Sequence, residues 1–148
     1  MLLVQNILDG ARKRLAVISQ EASICDAAQI LKNPHTPLAV VCNSDGRAVG
    51  VLSRGDIVNV LANTGADAHA TSVGAVMTKA MFSCHVDHPL QGVWDTLNTR
   101  SLRSAPVLDS DGRPQGVVHA RDLACALLEE VNYEELLLRD YVLGVGYQ

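Results

Sequence analysis

At 148 residues, the chain is long enough for one ordinary domain or for two small units that share a core. Apolar residues make up 48% of it, with only one Trp, one Phe and three Tyr, and the formal charge is −4. That balance argues against a nucleic-acid partner, and no apolar run reaches the ~20 residues of a membrane span. The opening Met1-Leu2-Leu3-Val4-Gln5-Asn6 lacks the basic and long apolar regions of a secretory signal, so a cytoplasmic protein is expected. Cys25, Cys42, Cys84 and Cys125 are scattered with no CxxC pair, which fits free, mostly buried thiols in a reducing compartment.

Taken in order, residues 4–8 form a short amphipathic opening, and residues 15–18 read as a strand. Ser23 with Asp26 has the spacing of a capping box, and Ile24, Ala27, Ala28 and Leu31 follow the helical period. Residues 38–41 and 49–52 are two β-rich runs around Asn43-Ser44-Asp45-Gly46-Arg47. Asp-Gly in that setting is a strong hairpin signal. Ser53 and Asp56 repeat the capping-box spacing ahead of a helix through Leu61. Residues 63–72, rich in Ala, Gly, Thr and Asp, make a linker.

The pattern then begins again. Residues 73–77 echo the opening, residues 81–84 echo the first strand, and Pro89 starts a helix carrying Leu90, Val93, Trp94 and Leu97. Residues 110–127, SDGRPQGVVHARDLACAL, match residues 44–61, SDGRAVGVLSRGDIVNVL, at a displacement of 66 with no gap. The first copy carries three extra residues within 9–14. Each copy is thus strand, helix, strand, strand, helix. Neither buries two helices and a three-stranded sheet alone, so an α/β (α+β) fold is expected, the two repeats packed sheet to sheet about a pseudo-two-fold axis. The division is 1–62, linker 63–72, 73–128, and a C-terminal helix and tail over 129–148. The helix runs on to Tyr141, and residues 144–148 are apolar enough to dock on a neighbour.

Several chemical readings are excluded by setting. Arg54-Gly55-Asp56 spells an adhesion tripeptide, but it lies at a strand-to-helix junction with no secretory signal. Cys84, His85 and His88 are too crowded for tetrahedral metal geometry. No nucleophile elbow, P-loop or metalloprotease motif is present, and no enzyme activity is expected.

Two β-α-β-β-α copies, closing with Gly50-Val51-Leu52-Ser53-Arg54-Gly55-Asp56-Ile57 and Gly116-Val117-Val118-His119-Ala120-Arg121-Asp122-Leu123, resemble a tandem pair of CBS domains, a Bateman module. Ala105-Pro106-Val107-Leu108-Asp109 and Val73-Gly74-Ala75-Val76-Met77-Thr78 support the likeness. It implies a stand-alone regulatory module, with no required cofactor, that binds an adenine nucleotide between the repeats and signals to an unidentified regulated protein. One site would combine Ser53, Arg54 and Asp56 with Ala80, Phe82, Leu102, Arg103 and Ser104. The other would combine His119, Arg121 and Asp122 with Ala16, Thr36, Pro37 and Leu38. In the family the helix-starting Asp holds the ribose hydroxyls, and the Ser or Thr three residues earlier helps with ribose or phosphate.

The residues support this on their own terms. A helix start fixes a carboxylate and offers backbone N–H groups to a phosphate. Arg54, Arg103 and Arg121 are placed to meet phosphate oxygens, and Phe82 with Leu102 gives a purine a wall. Few basic residues line the expected clefts, favouring AMP or another lightly charged adenosyl compound over ATP, with ADP, NAD and S-adenosylmethionine as further candidates. His119 and Val40, where the family prefers Ser or Thr and Pro, make the Asp56 site the better one, and motivate the alternative of a ligand-free scaffold. The closing helices, apolar on more than one face through Val60, Leu61, Leu123, Ala126, Leu127 and Leu128, point to a homodimer.

Overall fold

The computed structural model describes residues 1–65 and 67–146, with side chains through Val142 in the last helix. A 3-10 turn (Val4–Ile7) runs into α1 (Leu8–Lys13), followed by β1 (Val17–Ser19), α2 (Ile24–Leu31), β2 (Ala39–Cys42), β3 (Ala48–Leu52) and α3 (Arg54–Thr64). The second copy holds α4 (Val73–Val76), α5 (Leu90–Thr99), β4 (Ser104–Leu108), β5 (Pro114–His119) and α6 (Ala120–Gly146). β2 lies parallel to β1 and antiparallel to β3, while β4 and β5 form an antiparallel pair. The fold is the expected mixed α and β one, with two small sheets.

Local chemistry is built twice. Asn43 Oδ1 accepts the backbone N–H groups of Asp45 (3.0 Å) and Arg47 (3.1 Å); Asp109 Oδ1 accepts those of Asp111 and Arg113 (both 2.9 Å). Gly46 and Gly112 turn each hairpin at φ +81° and +84°, where a side chain would be strained. α2 and α3 both open in capping boxes, Ser23 with Asp26 and Ser53 with Asp56.

One expected strand is reduced. Of residues 81–84, only Cys84 pairs, in an isolated parallel bridge to Val107 that matches the Ile18–Val41 pair of the first sheet. The cause is Pro106. In the first copy the Val40 N–H donates to the Ala16 carbonyl at 2.8 Å. The matching position in the second copy is Pro106, which has no N–H to donate to Phe82. The ladder therefore starts at Cys84, whose N–H reaches the Pro106 carbonyl at 3.0 Å.

The leading segment of each copy packs on the other copy. Val73 and Gly74 donate to the carbonyls of Ala22 (2.7 Å) and Gln20 (2.8 Å), and Thr78 pairs with Val51. Val4 and Gln5 donate to His88 and Val86 (both 2.9 Å). Val73 is accordingly buried with Ile24, Leu31, Val41 and Leu52, while Val4 and Ala11 are buried with Leu90, Leu97, Val107 and Leu123. Trp94 packs at the edge of the second of these cores. Gly50 and Gly116 make room for the exchange. A Cβ on Gly50 would come within 2.8 Å of the Thr78 carbonyl, and one on Gly116 within 2.9 Å of the Ala11 backbone. Between the sheets lie Leu38, Val40, Cys42 and Val117, with Val51 at the margin. The hairpins meet where the Ala48 N–H donates to the Gly112 carbonyl (2.9 Å).

Beyond Leu127 the C-terminal helix is held at Glu130, whose carboxylate meets the Met1 amine at 3.3 Å, and is exposed from Val131 to Val142. Leu128, Val131, Tyr133, Leu136, Leu137, Leu138, Tyr141 and Val142 are each more than half exposed. The tail expected to dock, from residue 144 on, lies outside the residues whose side chains are described. No described helix is long and apolar enough to cross a membrane. The four thiols are free; Cys42 and Cys84 are buried, Cys25 is half-buried, and Cys125 is exposed on α6.

Candidate functional site

The capping box that opens α3 fixes Asp56. Its Oδ2 accepts the Ser53 N–H at 2.9 Å, and Ser53 Oγ accepts the Asp56 N–H at 3.2 Å. Among the described residues Oδ1 makes no hydrogen bond. Asp56 lines a cavity of about 570 Å³, within the usual size of a small-ligand site. All eight residues expected around Asp56 line this cavity: Ser53, Arg54, Asp56, Ala80, Phe82, Leu102, Arg103 and Ser104. The apolar walls are completed by Val51, Met81 and Pro106.

The second expected group does not assemble. Pro37, Leu38 and His119 line the same cavity as Asp56, whereas Ala16, Thr36, Arg121 and Asp122 do not. Ala16 gives its carbonyl to the sheet, and Thr36 is buried. Arg121 is exposed, and its backbone N–H donates to His119 Nδ1 at 3.1 Å. The imidazole thus takes the place of the Ser53 hydroxyl at the start of α6. Burial holds the His119 pKa below its ordinary value, with the Arg14 charge adding to the effect. Asp122 is held by Arg14 in a two-point contact, Nε to Oδ2 at 2.7 Å and Nη2 to Oδ1 at 3.1 Å.

The cations divide in two. Arg54 lines the cavity, but its Nη1 donates to the carbonyls of Leu31 and Thr36 (3.0 Å to the latter), securing the end of α2. Arg103 and Arg100 face the cavity with no ion pair among the described residues. Arg100, which the sequence pattern did not single out, lies over the Phe82 ring with its guanidinium carbon 5.5 Å from the centroid. Its only sequence signal was a place three residues before Arg103, at the end of α5. Asp56 is the one acid on the wall, so the cavity favours a ligand with negative charge. Ser104 lines the cavity, and its Oγ is buried without a hydrogen-bond partner among the described residues.

Comparison with known proteins gives the same architecture. The chain is 30% identical over 119 residues to an uncharacterized 17.7 kDa protein of Acidianus ambivalens, covering 80% of this chain and 71% of that one. It is 25% identical over 116 residues to a homoserine O-acetyltransferase of Methanohalobium evestigatum, spanning 78% of this chain but only 22% of the enzyme. Among solved structures, the CBS domain pair of protein MJ0100, in complex with 5'-methylthioadenosine and S-adenosyl-L-methionine, aligns with a TM-score of 0.74 at 23% identity, over 88% of this chain and 98% of that one. CBSX2, in complex with AMP, aligns with a TM-score of 0.72 at 22% identity, over 87% and 98%. The CBS domain profile matches residues 4–63 and again 73–129. With both repeats matched and the fold shared, the chain belongs to the CBS domain family, as a tandem pair.

Proposed function

We propose that this CBS pair is a regulatory module that binds an AMP-like adenine nucleotide in the Asp56 cavity and relays its presence to a partner protein. The observation that carries the reading is the divided carboxylate. One oxygen of Asp56 is committed to the cap, the other makes no hydrogen bond among the described residues, and the residue lines a cavity of about 570 Å³. A carboxylate fixed in this way suits a pair of ribose hydroxyls. Phe82 and Leu102 offer the base an apolar wall, and the unpaired Arg100 and Arg103 suit a phosphate. Two arginines without an ion pair among the described residues favour one phosphate over three. The likeness to pairs solved with AMP, 5'-methylthioadenosine and S-adenosyl-L-methionine supports an adenosyl ligand.

The test is calorimetry with AMP on protein stripped of bound nucleotide, comparing Asp56→Ala with Asp26→Ala. Both variants lose a capping acceptor and about 1 kcal/mol of stability. Only Asp56→Ala should weaken AMP, by about 1.5–3 kcal/mol or roughly ten- to a hundredfold. If Asp56→Ala changes the melting temperature alone, the carboxylate is a cap and nothing more. No AMP binding below about 1 mM would favour an interaction scaffold instead. The exposed Val58 and Leu61 on α3 and Leu128 on α6 support assembly into a homodimer through the closing helices.

A further inference from the structure

Asp56 and Asp122 stand 66 positions apart at matched helix starts, yet they meet different neighbours. The paired bridges Ile18–Val41 and Cys84–Val107 set the register between the copies, and in that register Arg14 corresponds to Ala80. Ala80 is a small wall residue of the Asp56 cavity. Arg14 instead reaches across and takes both oxygens of Asp122, at 2.7 and 3.1 Å, with the two side chains only 26% and 37% exposed. At this position the two helix starts therefore differ, with a methyl group in one and a bidentate guanidinium in the other.

We propose that Arg14 takes up the Asp122 carboxylate in place of a ligand, so that each chain takes one nucleotide, at Asp56, and none at Asp122. This rests on the reading of the Asp56 cavity as a nucleotide site. The chemistry favours the internal partner. A ribose offers Asp122 two neutral hydroxyls, whereas Arg14 offers two charge-assisted N–H donors in the fork geometry of a carboxylate. The guanidinium is also tethered, and forms its contact without the loss of freedom that a separate ligand suffers. Arg14 thus withdraws the Asp122 carboxylate from a ligand, while among the described residues no such partner reaches Asp56.

Calorimetric stoichiometry with AMP decides it, with thermal unfolding confirming that every variant is folded. The wild-type chain should bind one AMP, Arg14→Ala two, and Arg14→Ala with Asp122→Ala one again. Transplanting the block, Ala80→Arg should lower AMP affinity at the remaining site at least tenfold. Two AMP per wild-type chain, or one per folded Arg14→Ala chain, overturns the proposal, as does unchanged affinity in Ala80→Arg. If neither the wild type nor Arg14→Ala binds AMP, the nucleotide reading of the cavity fails and this proposal falls with it. That result is distinct from one-site binding in both.

Discussion

Gly116→Ala adds a single methyl group where the structure leaves no space for one. The new Cβ would lie 2.9 Å from both the carbonyl carbon and the Cβ of Ala11, and 3.0 Å from its oxygen. Two of those three atoms are backbone and cannot rotate away, so α1 must lift from β5 or β5 must bend. Overpacking of this kind costs about 1–3 kcal/mol, and a backbone obstacle places it in the upper half of that range. For a chain of this size each kcal/mol moves the midpoint by about 2–4 °C, so a fall of roughly 4–12 °C is expected. Gly10→Ala is the matched control. Gly10 lies in α1, is exposed, and a Cβ there meets nothing within 4 Å. The same chemical change should therefore stabilise, by about 0.5–1 kcal/mol through helix propensity. Urea unfolding followed by circular dichroism measures both. If Gly116→Ala is neutral, or shifts in the same direction as Gly10→Ala, the exchanged segment does not press on β5 as described and the reasoning fails.

Other outcomes follow from buried chemistry and exposed surface. Burial pushes the Cys84 thiol up to about 12, so in the native protein at pH 8 a thiol reagent should label the exposed Cys125 and spare Cys84, as peptide mass spectrometry would show. His119 has a folded pKa below its ordinary 6.5, so the fold binds its proton less readily than the unfolded chain does. Its contribution to stability is complete above about 6.5 and declines as pH falls from there through the lowered folded value. His119→Ala should flatten that part of the curve of melting temperature against pH; an unchanged slope would remove His119 as its source. Light scattering at micromolar concentration should give the mass of two chains, and Leu128→Glu should shift it towards one. A single-chain mass for the wild type would leave the closing helices needing another cover.

What was legible in the sequence is what short spacings encode. Ser-x-x-Asp marked the starts of α2 and α3, Asp-Gly marked the hairpins, and the resemblance to CBS domain pairs grouped eight residues that all line the Asp56 cavity. What stayed hidden acts over distance or by subtraction. Pro106 shortens a neighbouring strand through a donor it does not have. Arg54 looks like a phosphate ligand from its place beside Ser53, but carbonyls 18 and 23 positions away claim it. Arg14 meets Asp122 across 108 positions, a pairing that no local pattern announces. Helix starts are local, whereas the competition for a side chain is settled by the whole fold.

The exchange of leading segments bears on how the chain comes to be folded at all. Val4 and Ala11 leave the ribosome early, but their seat against Val107, Val118 and Leu123 is completed more than a hundred residues later. Neither repeat has its full core until part of the other has arrived. Contacts this distant in sequence slow folding, because loop closure must come before they form. They also bind the two halves to one fate: peeling away one repeat strips a buried valine from the other. A chain cut in the linker should therefore fold only when both fragments are present together, and unfolding should run as a single transition with no stage in which one repeat stands alone.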